Sequence, residues 1–344
     1  MISILDCTIR DGSYATNYQW DNNHLRQIVN TLSKAGVPYI EIGNGTGLGM
    51  YRSNVFAKHD QEYFDNTIPY KNQSKIGAFL IPGIGEKDDI HKFKEEGGDF
   101  LRIGVNANEV YKALPYIEIA KNEGLEVFCN LMKSYSISTY QLAHSCSDLV
   151  NSAVDCIYIV DSAGGMTPMQ IQKYFTAVKK LYDIKLGFHG HNNLLLANGN
   201  SYMAAINGAS FVDATLMSLG RGAGNAQLES LVALFQKDRL INDSIDVKAL
   251  CALSEEIIKE ILNNQSVNLK RNIVIGVANF HDSYLHIAEK YAKKYNVEVD
   301  LLITEVSKVN MVNPSEELFD LIASKITTNT VSSIYFPKFY HKNY

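Results

Sequence analysis

His189 and His191 stand two apart where the apolar run 185–189, whose residues favour a strand, comes to its end. Side chains two apart on a strand share one face, so both imidazoles can reach a single ion. Two ligands do not define a site. Polar groups also break apolar runs at Thr8-Ile9-Arg10-Asp11-Gly12, at Glu41 with Asn44, at Asp161-Ser162 and at Gly220-Arg221-Gly222-Ala223-Gly224-Asn225. Asp11 and Asn225 would complete a set of one carboxylate, two imidazoles and one amide oxygen, with positions left open for water or substrate. Such a set suits a divalent ion of intermediate hardness: Mn2+ or Mg2+ foremost, with Co2+ and Zn2+ also compatible. Arg10 could neutralise a buried carboxylate or stabilise anionic charge on a metal-bound oxygen, and beside a metal the second role is favoured. Glu41 has two readings that the residues leave open, as acceptor for a ligand histidine or as partner of Arg10. Together with Arg10, Glu41 and Ser162 are the residues expected to contact substrate. The glycines from Gly220 to Gly224 allow close backbone approach to a ligand, or simply a tight turn. The remaining histidines, at 24, 59, 91, 144, 281, 286 and 341, read as surface or packing residues.

These residues need elements to bring them together. Apolar runs at 2–6, 39–43, 75–81, 100–104, 126–132, 156–161, 185–189 and 211–216 recur about every 25 to 35 residues. Between them, segments such as 22–35, 109–122, 168–182 and 194–207 carry apolar residues at helical spacing. Eight strand–helix repeats in roughly 240 residues predict a (β/α)8 TIM barrel rather than a doubly wound sheet. In such a barrel the chemistry gathers at the C-terminal ends of the strands, where all five polar interruptions fall. Closure sets strand eight between strands seven and one, which makes Asp11, the two histidines and Asn225 neighbours along the wall. Beyond the barrel the segments 246–262, 280–295 and 316–324 read as helices without strands between them. The expected organisation is therefore a barrel over 1–238 and a C-terminal helical appendage over 239–344. Its last residues, 332–344, mix aromatics with lysines and fit either a docking tail or a frayed end.

Composition narrows the function classes. With 32 basic against 37 acidic residues and a net charge of -5, the chain lacks the electrostatic footprint of a nucleic-acid binder. No apolar run approaches the ~20 residues needed to span a bilayer, and Met1 leads directly into the first strand without a basic or long apolar leader. A cytoplasmic protein is the expectation. The 5 cysteines, an odd number without CxxC spacing, fit reduced and mostly buried thiols.

The chain resembles the DRE-TIM metallolyases and, within them, the bacterial 4-hydroxy-2-oxovalerate aldolases. The resemblance rests on Leu5-Asp6-Cys7-Thr8-Ile9-Arg10-Asp11-Gly12, Ile40-Glu41-Ile42, Ile81-Pro82-Gly83-Ile84-Gly85, Asp161-Ser162-Ala163-Gly164, His189-Gly190-His191-Asn192-Asn193 and Gly222-Ala223-Gly224-Asn225-Ala226-Gln227-Leu228-Glu229. It continues into the appendage through Ile275-Gly276-Val277-Ala278 and Ala288-Glu289-Lys290-Tyr291-Ala292, so it runs nearly end to end. The resemblance implies a carbon-carbon lyase that reversibly cleaves a 4-hydroxy-2-oxo acid to pyruvate and an aldehyde. It implies that Asp11, His189 and His191 hold the ion, with Asn225 a further ligand, while Arg10 steadies the pyruvate enolate. It also implies a homo-oligomer and an acylating aldehyde dehydrogenase as partner subunit. Two positions depart from the aldolase pattern. Tyr14 stands where a histidine is expected as acid/base, and Val277 stands where a tyrosine near the substrate is expected. Tyr14 or a metal-bound water would then move the proton, or the aldehyde would differ from acetaldehyde. A Claisen-type enzyme using an acyl-CoA, like isopropylmalate synthase, is the alternative. It is disfavoured because Arg221-Gly222-Ala223-Gly224-Asn225 lacks the glutamate those enzymes carry there. A metal-binding subunit without turnover is the third reading.

Overall fold

The strands β1 (Ser3–Asp6), β2 (Tyr39–Ile42), β3 (Lys75–Leu80), β4 (Phe100–Asn106), β5 (Glu126–Met132), β6 (Cys156–Asp161), β7 (Lys185–Gly190) and β8 (Phe211–Ala214) close in sequence order into one parallel barrel. The computed structural model describes residues 1–242, 244–263 and 268–326, so the 332–344 tail and His341 lie outside the described residues. Closure pairs β1 with β8 from Ser3↔Phe211 to Asp6↔Ala214, which sets the helical turn Thr8–Gly12 that carries Asp11 beside the loop that carries Asn225. All eight runs expected as strands are strands. β4 continues to Asn106 because its ladder with β5 runs unbroken to Asn106↔Met132. β8 stops at Ala214 because the chain turns through Leu216–Ser218, where Met217 takes φ 47 and Thr8 Oγ1 accepts the Leu216 N–H at 2.8 Å.

Crossover helices surround the sheet, and their starts follow local chemistry. Asn22–Lys34 begins where the Asp21 side chain accepts the N–H groups of Asn23 and His24, and it buries Leu25, Ile28, Val29 and Leu32. Pro168–Lys179 begins with a reciprocal cap between Thr167 and Gln170.

After Leu228–Lys237 the sequence expectation needs revision. The segment 246–262 is interrupted by a π turn at Ser254–Ile258, and the 280–295 helix starts only at Leu285, because Asn279 adopts φ 52 and His281 caps a short turn. Two unexpected helices, Leu269–Ala278 and Val299–Val309, lie between the expected ones. The first is capped by Asn268, whose side chain accepts the Arg271 N–H, and the second packs several β-branched residues that read as strand formers in isolation. The apolar core of the barrel extends through Ile257 and Ile258. A separate cluster built on Val274, Ile275, Phe280, Leu302, Val306 and Phe319 holds the later helices together. Among the described residues no helix is long and apolar enough to cross a membrane.

Candidate active site

The barrel interior has two storeys, set by the period of two along each strand. In the lower storey Tyr39, Phe100, Phe128, Tyr158 and Phe211 pack ring against ring, with Phe128 4.9 Å from Phe211 and 5.5 Å from Phe100 between centroids. Gly77 and Gly187 make this possible: a Cβ on Gly77 would lie 2.1 Å from the Phe100 ring and one on Gly187 2.5 Å from the Tyr158 ring.

In the upper storey the inward residues become polar and form a ladder of alternating charge. Asp11 Oδ1 accepts from Arg10 Nη1 at 2.6 Å, and Arg10 Nε donates to Glu41 at 2.7 Å. Glu41 pairs in turn with Arg102 at 3.2 Å, Arg102 donates to Asp213 at 2.5 Å, and Asp213 accepts from His189 Nδ1 at 2.9 Å. Every rung is buried, as ions must be paired when removed from water. Burial alone would raise the Asp11 carboxyl, but the Arg10 guanidinium beside it holds it well below the usual carboxylate range. Arg102 and His189 likewise outweigh burial at Asp213. Arg102 also lies 4.4 Å from the Tyr158 ring, which joins the two storeys.

Asp11, His189 and His191 offer ligand atoms that all lie within 4.8 Å of one another. Each imidazole has its Nδ1 at a hydrogen-bond acceptor, Asp213 for His189 and the Gly224 carbonyl at 3.3 Å for His191. That places the proton on Nδ1 and leaves both Nε2 lone pairs for a ligand. Asn225 Nδ2 donates to Asp11 Oδ2 at 2.6 Å, so its Oδ1 is fixed, buried and without a hydrogen-bond partner. A carboxylate, two imidazoles and an orphaned amide oxygen fit a divalent cation. The structure thus brings together the four residues singled out by type and spacing. A second buried group, Cys7, His189 and Asp213, shares His189, but burial and Asp213 push the Cys7 thiol far up and keep it protonated.

Above these groups opens a cavity of about 340 Å3, lined by Arg10, Tyr14, Ser162, Arg221 and residues of both the barrel and the later helices. Tyr14 fits only because Gly45 has no side chain, since a Cβ there would lie 2.3 Å from its ring. Burial raises the Tyr14 phenol above its ordinary range, while Arg221, 5.7 Å from the ring centroid, pulls the other way. Ser162 Oγ accepts the Lys133 N–H at 2.9 Å. Glu41 does not line the cavity; it sits beneath Arg10 as its partner, and Asp213 is the acceptor of His189.

His281 requires correction. It is not a surface or packing residue, because its Nε2 lies 2.9 Å from Arg221 Nη1 at the cavity wall. Val277 does not line the cavity, and the later helices present Tyr284 there instead. Sequence reading missed Arg102, Asn130, Lys133 and Asp213. A signal was available for three of them, since Arg102, Asn130 and Asp213 each follow an aromatic residue by two places inside an apolar strand.

The HMGL-like family profile matches residues 1–257. A 4-hydroxy-2-oxovalerate aldolase from Geobacillus genomosp. 3 is 32% identical over 329 residues, covering 95% of this chain and 97% of that protein. An oxaloacetate decarboxylase from Mycobacterium tuberculosis is 40% identical over 235 residues, covering 68% of this chain and 70% of that protein. Among solved structures, the N-terminal domain of a candidate aldolase from Bacteroides vulgatus superposes with a TM-score of 0.70 at 25% identity, over 86% of this chain and 98% of that one. The carboxyl transferase domain of Rhizobium etli pyruvate carboxylase, at 14% identity and TM-score 0.79 over 98% of this chain and 63% of that one, shares the fold.

Proposed function

The chain belongs to the HMGL-like family, and from that premise we propose that it is a divalent-metal-dependent aldolase that reversibly splits a 4-hydroxy-2-oxo acid into pyruvate and an aldehyde. The observation that carries this reading is the cluster of Asp11, His189, His191 and the unpartnered Asn225 Oδ1 at the floor of a cavity that Arg10 also lines. The curated aldolase relatives, similar over nearly the whole chain, support the same chemistry.

Asp11, His189, His191 and Asn225 would hold the ion, with Mn2+ the first choice for this donor set. When bound, it supplies Lewis acidity to the keto group of the 2-oxo acid. Arg10 does the rest of the charge stabilisation. Its Nε and Nη1 are held by Glu41 and Asp11, so the guanidinium is locked in plane before substrate arrives and keeps Nη2 for the negative charge that develops on the keto oxygen. Ser162 orients the substrate carboxylate. Tyr14 is protonated at neutral pH, so in the condensing direction it donates its proton to the aldehyde oxygen, with Arg221 beside it to ease the phenolate that remains; in cleavage the phenol must first give its own proton to solvent before the phenolate takes that of the 4-hydroxyl. The barrel, residues 1–238, provides the ion ligands and the charge, and the described part of 239–344 closes the cavity with His281 and Tyr284.

The test is pyruvate release from 4-hydroxy-2-oxovalerate and from longer 4-hydroxy-2-oxo acids, with added Mn2+, with a chelator and with oxaloacetate in parallel. Chelator-sensitive release from a hydroxy acid is the expected result. Release from oxaloacetate alone would shift the reading to decarboxylation, and free thiol from acetyl-CoA with a 2-oxo acid would shift it to Claisen condensation.

A further inference from the structure

Four cationic side chains line or underlie the cavity, and they divide into two kinds. Arg10 and Arg102 are each paired with two carboxylates, at 2.5 to 3.2 Å. Arg221 and Lys133 are not. Arg221 directs its Nη atoms to neutral acceptors, His191 Nε2 at 3.1 Å, His281 Nε2 at 2.9 Å and the Ser162 carbonyl at 3.2 Å. Its nearest carboxylate, Asp282, stands 3.9 Å from Nε, which has no hydrogen-bond partner. Lys133 is 5% exposed, and among the described residues its Nζ meets the Val312 carbonyl at 2.5 Å and Asn313 Oδ1 at 3.3 Å, with the Tyr284 ring 5.5 Å away. Among the described residues no carboxylate lies within ion-pair distance of it, since Glu109 is engaged by Lys112 and Asn106.

Both cations line the same cavity as the proposed ion site. Lys133 reaches it from a left-handed backbone position, φ 55, which a lysine adopts only where surroundings impose it; here the Ser162 hydroxyl holds its N–H. Burial and the neighbouring Arg221 bring the Lys133 ammonium down to about 8, the behaviour of a charge in want of a counterion. Two enclosed cations that repel each other and face one cavity are relieved by an anion between them.

We propose that Lys133 and Arg221 form a second anion subsite, which binds a carboxylate on the aldehyde half of the substrate, so that the protein acts on 4-hydroxy-2-oxo diacids rather than on acids with a neutral tail. The proposal rests on the aldolase reading for the word substrate, but the subsite itself does not depend on turnover. Arg221 joins the two ends of the cavity. When His191 Nε2 is given to an ion, the Arg221 Nη2 that it now occupies is released for the incoming carboxylate.

Binding and turnover separate the two claims. Calorimetry on the Mn2+-loaded protein compares 2-oxoglutarate with 2-oxopentanoate, ligands of equal chain length that differ by a terminal carboxylate against a methyl. We expect the diacid to bind at least about tenfold more tightly. Lys133→Met should collapse that ratio towards one, Arg221→Met should do the same if the lysine variant fails to fold, and Lys133→Arg should restore much of it. A wild-type ratio near one overturns the subsite, as does a ratio that survives both methionine variants. Equal weakening of both ligands also overturns it, because the pair would then serve the carboxylate shared by all 2-oxo acids. In the turnover arm, 4-hydroxy-2-oxoglutarate should release pyruvate with a higher kcat/KM than 4-hydroxy-2-oxovalerate. No pyruvate from either, with the binding ratio intact, removes the aldolase reading and leaves the anion subsite standing.

Discussion

Phe100 and Arg102, Phe128 and Asn130, Phe211 and Asp213, and Tyr39 and Glu41 each stand two positions apart, and in each strand that step crosses from a ring to a polar group. Below the step, rings fill the barrel by shape, and each touches several others without needing any particular one. Above it, every charged group needs a named partner at hydrogen-bond distance. The lower storey therefore supplies stability that is diffuse and insensitive to pH. The upper storey supplies charges fixed before a ligand arrives, at the expense of tolerance to change. Arg102 belongs to both, with its face on Tyr158 and its edge on Asp213.

This contrast can be broken by substitution. The largest effect belongs to the upper storey: His189→Ala with His191→Ala should reduce metal-dependent pyruvate release by at least about a thousandfold. Thermal melting of the ion-free variant should stay near that of the parent, and a variant that turned over at the parental rate would remove these histidines from the ion site. In the lower storey Phe128→Ala should reverse the pattern. Urea titration should show a loss of about 3–5 kcal/mol from the cavity left among four rings, while the folded fraction keeps its turnover.

Next in size is a pH effect confined to the rim. Burial raises the Asp60 carboxyl to about 6 from 3.8, with Oδ2 accepting the Gly49 N–H and Oδ1 unpartnered. The folded state thus holds this proton more tightly than the unfolded chain. The stability it contributes is complete below about pH 4 and lost as pH rises through about 6. Asp60→Asn keeps the acceptor and cannot ionise, so relative to the parent it should gain up to about 3 kcal/mol between pH 4 and 8, read from paired unfolding titrations. A gain of equal size at every pH would show that ionisation is not the cause. Smallest is Asp213→Asn, which removes the charge behind His189 but keeps its acceptor. It should weaken Mn2+ binding by about 10- to 100-fold in calorimetry, and because it leaves buried Arg102 paired with Glu41 alone it should also lower the melting temperature.

The strands were legible because period and length both pointed to them, and the four ion-binding candidates were legible because each sat at a strand end where polarity is costly without a purpose. The charge ladder was harder to read. Arg102 and Asp213 lie in mid-strand, and nothing local to Phe100-Leu101-Arg102 or Phe211-Val212-Asp213 says that the two meet across the barrel. Their pairing spans 111 residues and exists only after closure. Lys133 was hidden for another reason, since its route into the cavity depends on a left-handed backbone angle that lysine does not advertise. His281 read as a surface or packing residue within an expected helix over 280–295, whereas it stands ahead of the short turn Asp282–Tyr284. Its importance comes from Arg221, which reaches across from the loop after β8. The helices Leu269–Ala278 and Val299–Val309 were missed where tertiary burial overrode weak local preference.

The ladder from Asp11 to His189 also constrains how this sequence can drift. A buried row of alternating signs behaves like a sum that must stay fixed: changing one rung leaves an odd charge in the interior, whereas changing two adjacent rungs of opposite sign leaves none. Single replacements at Glu41, Arg102 or Asp213 are therefore selected against even when they never touch a ligand, and paired replacements provide an open path. Descendants of this barrel should keep or exchange those rungs in couples, and an inherited change at one should carry the record of a change at its neighbour.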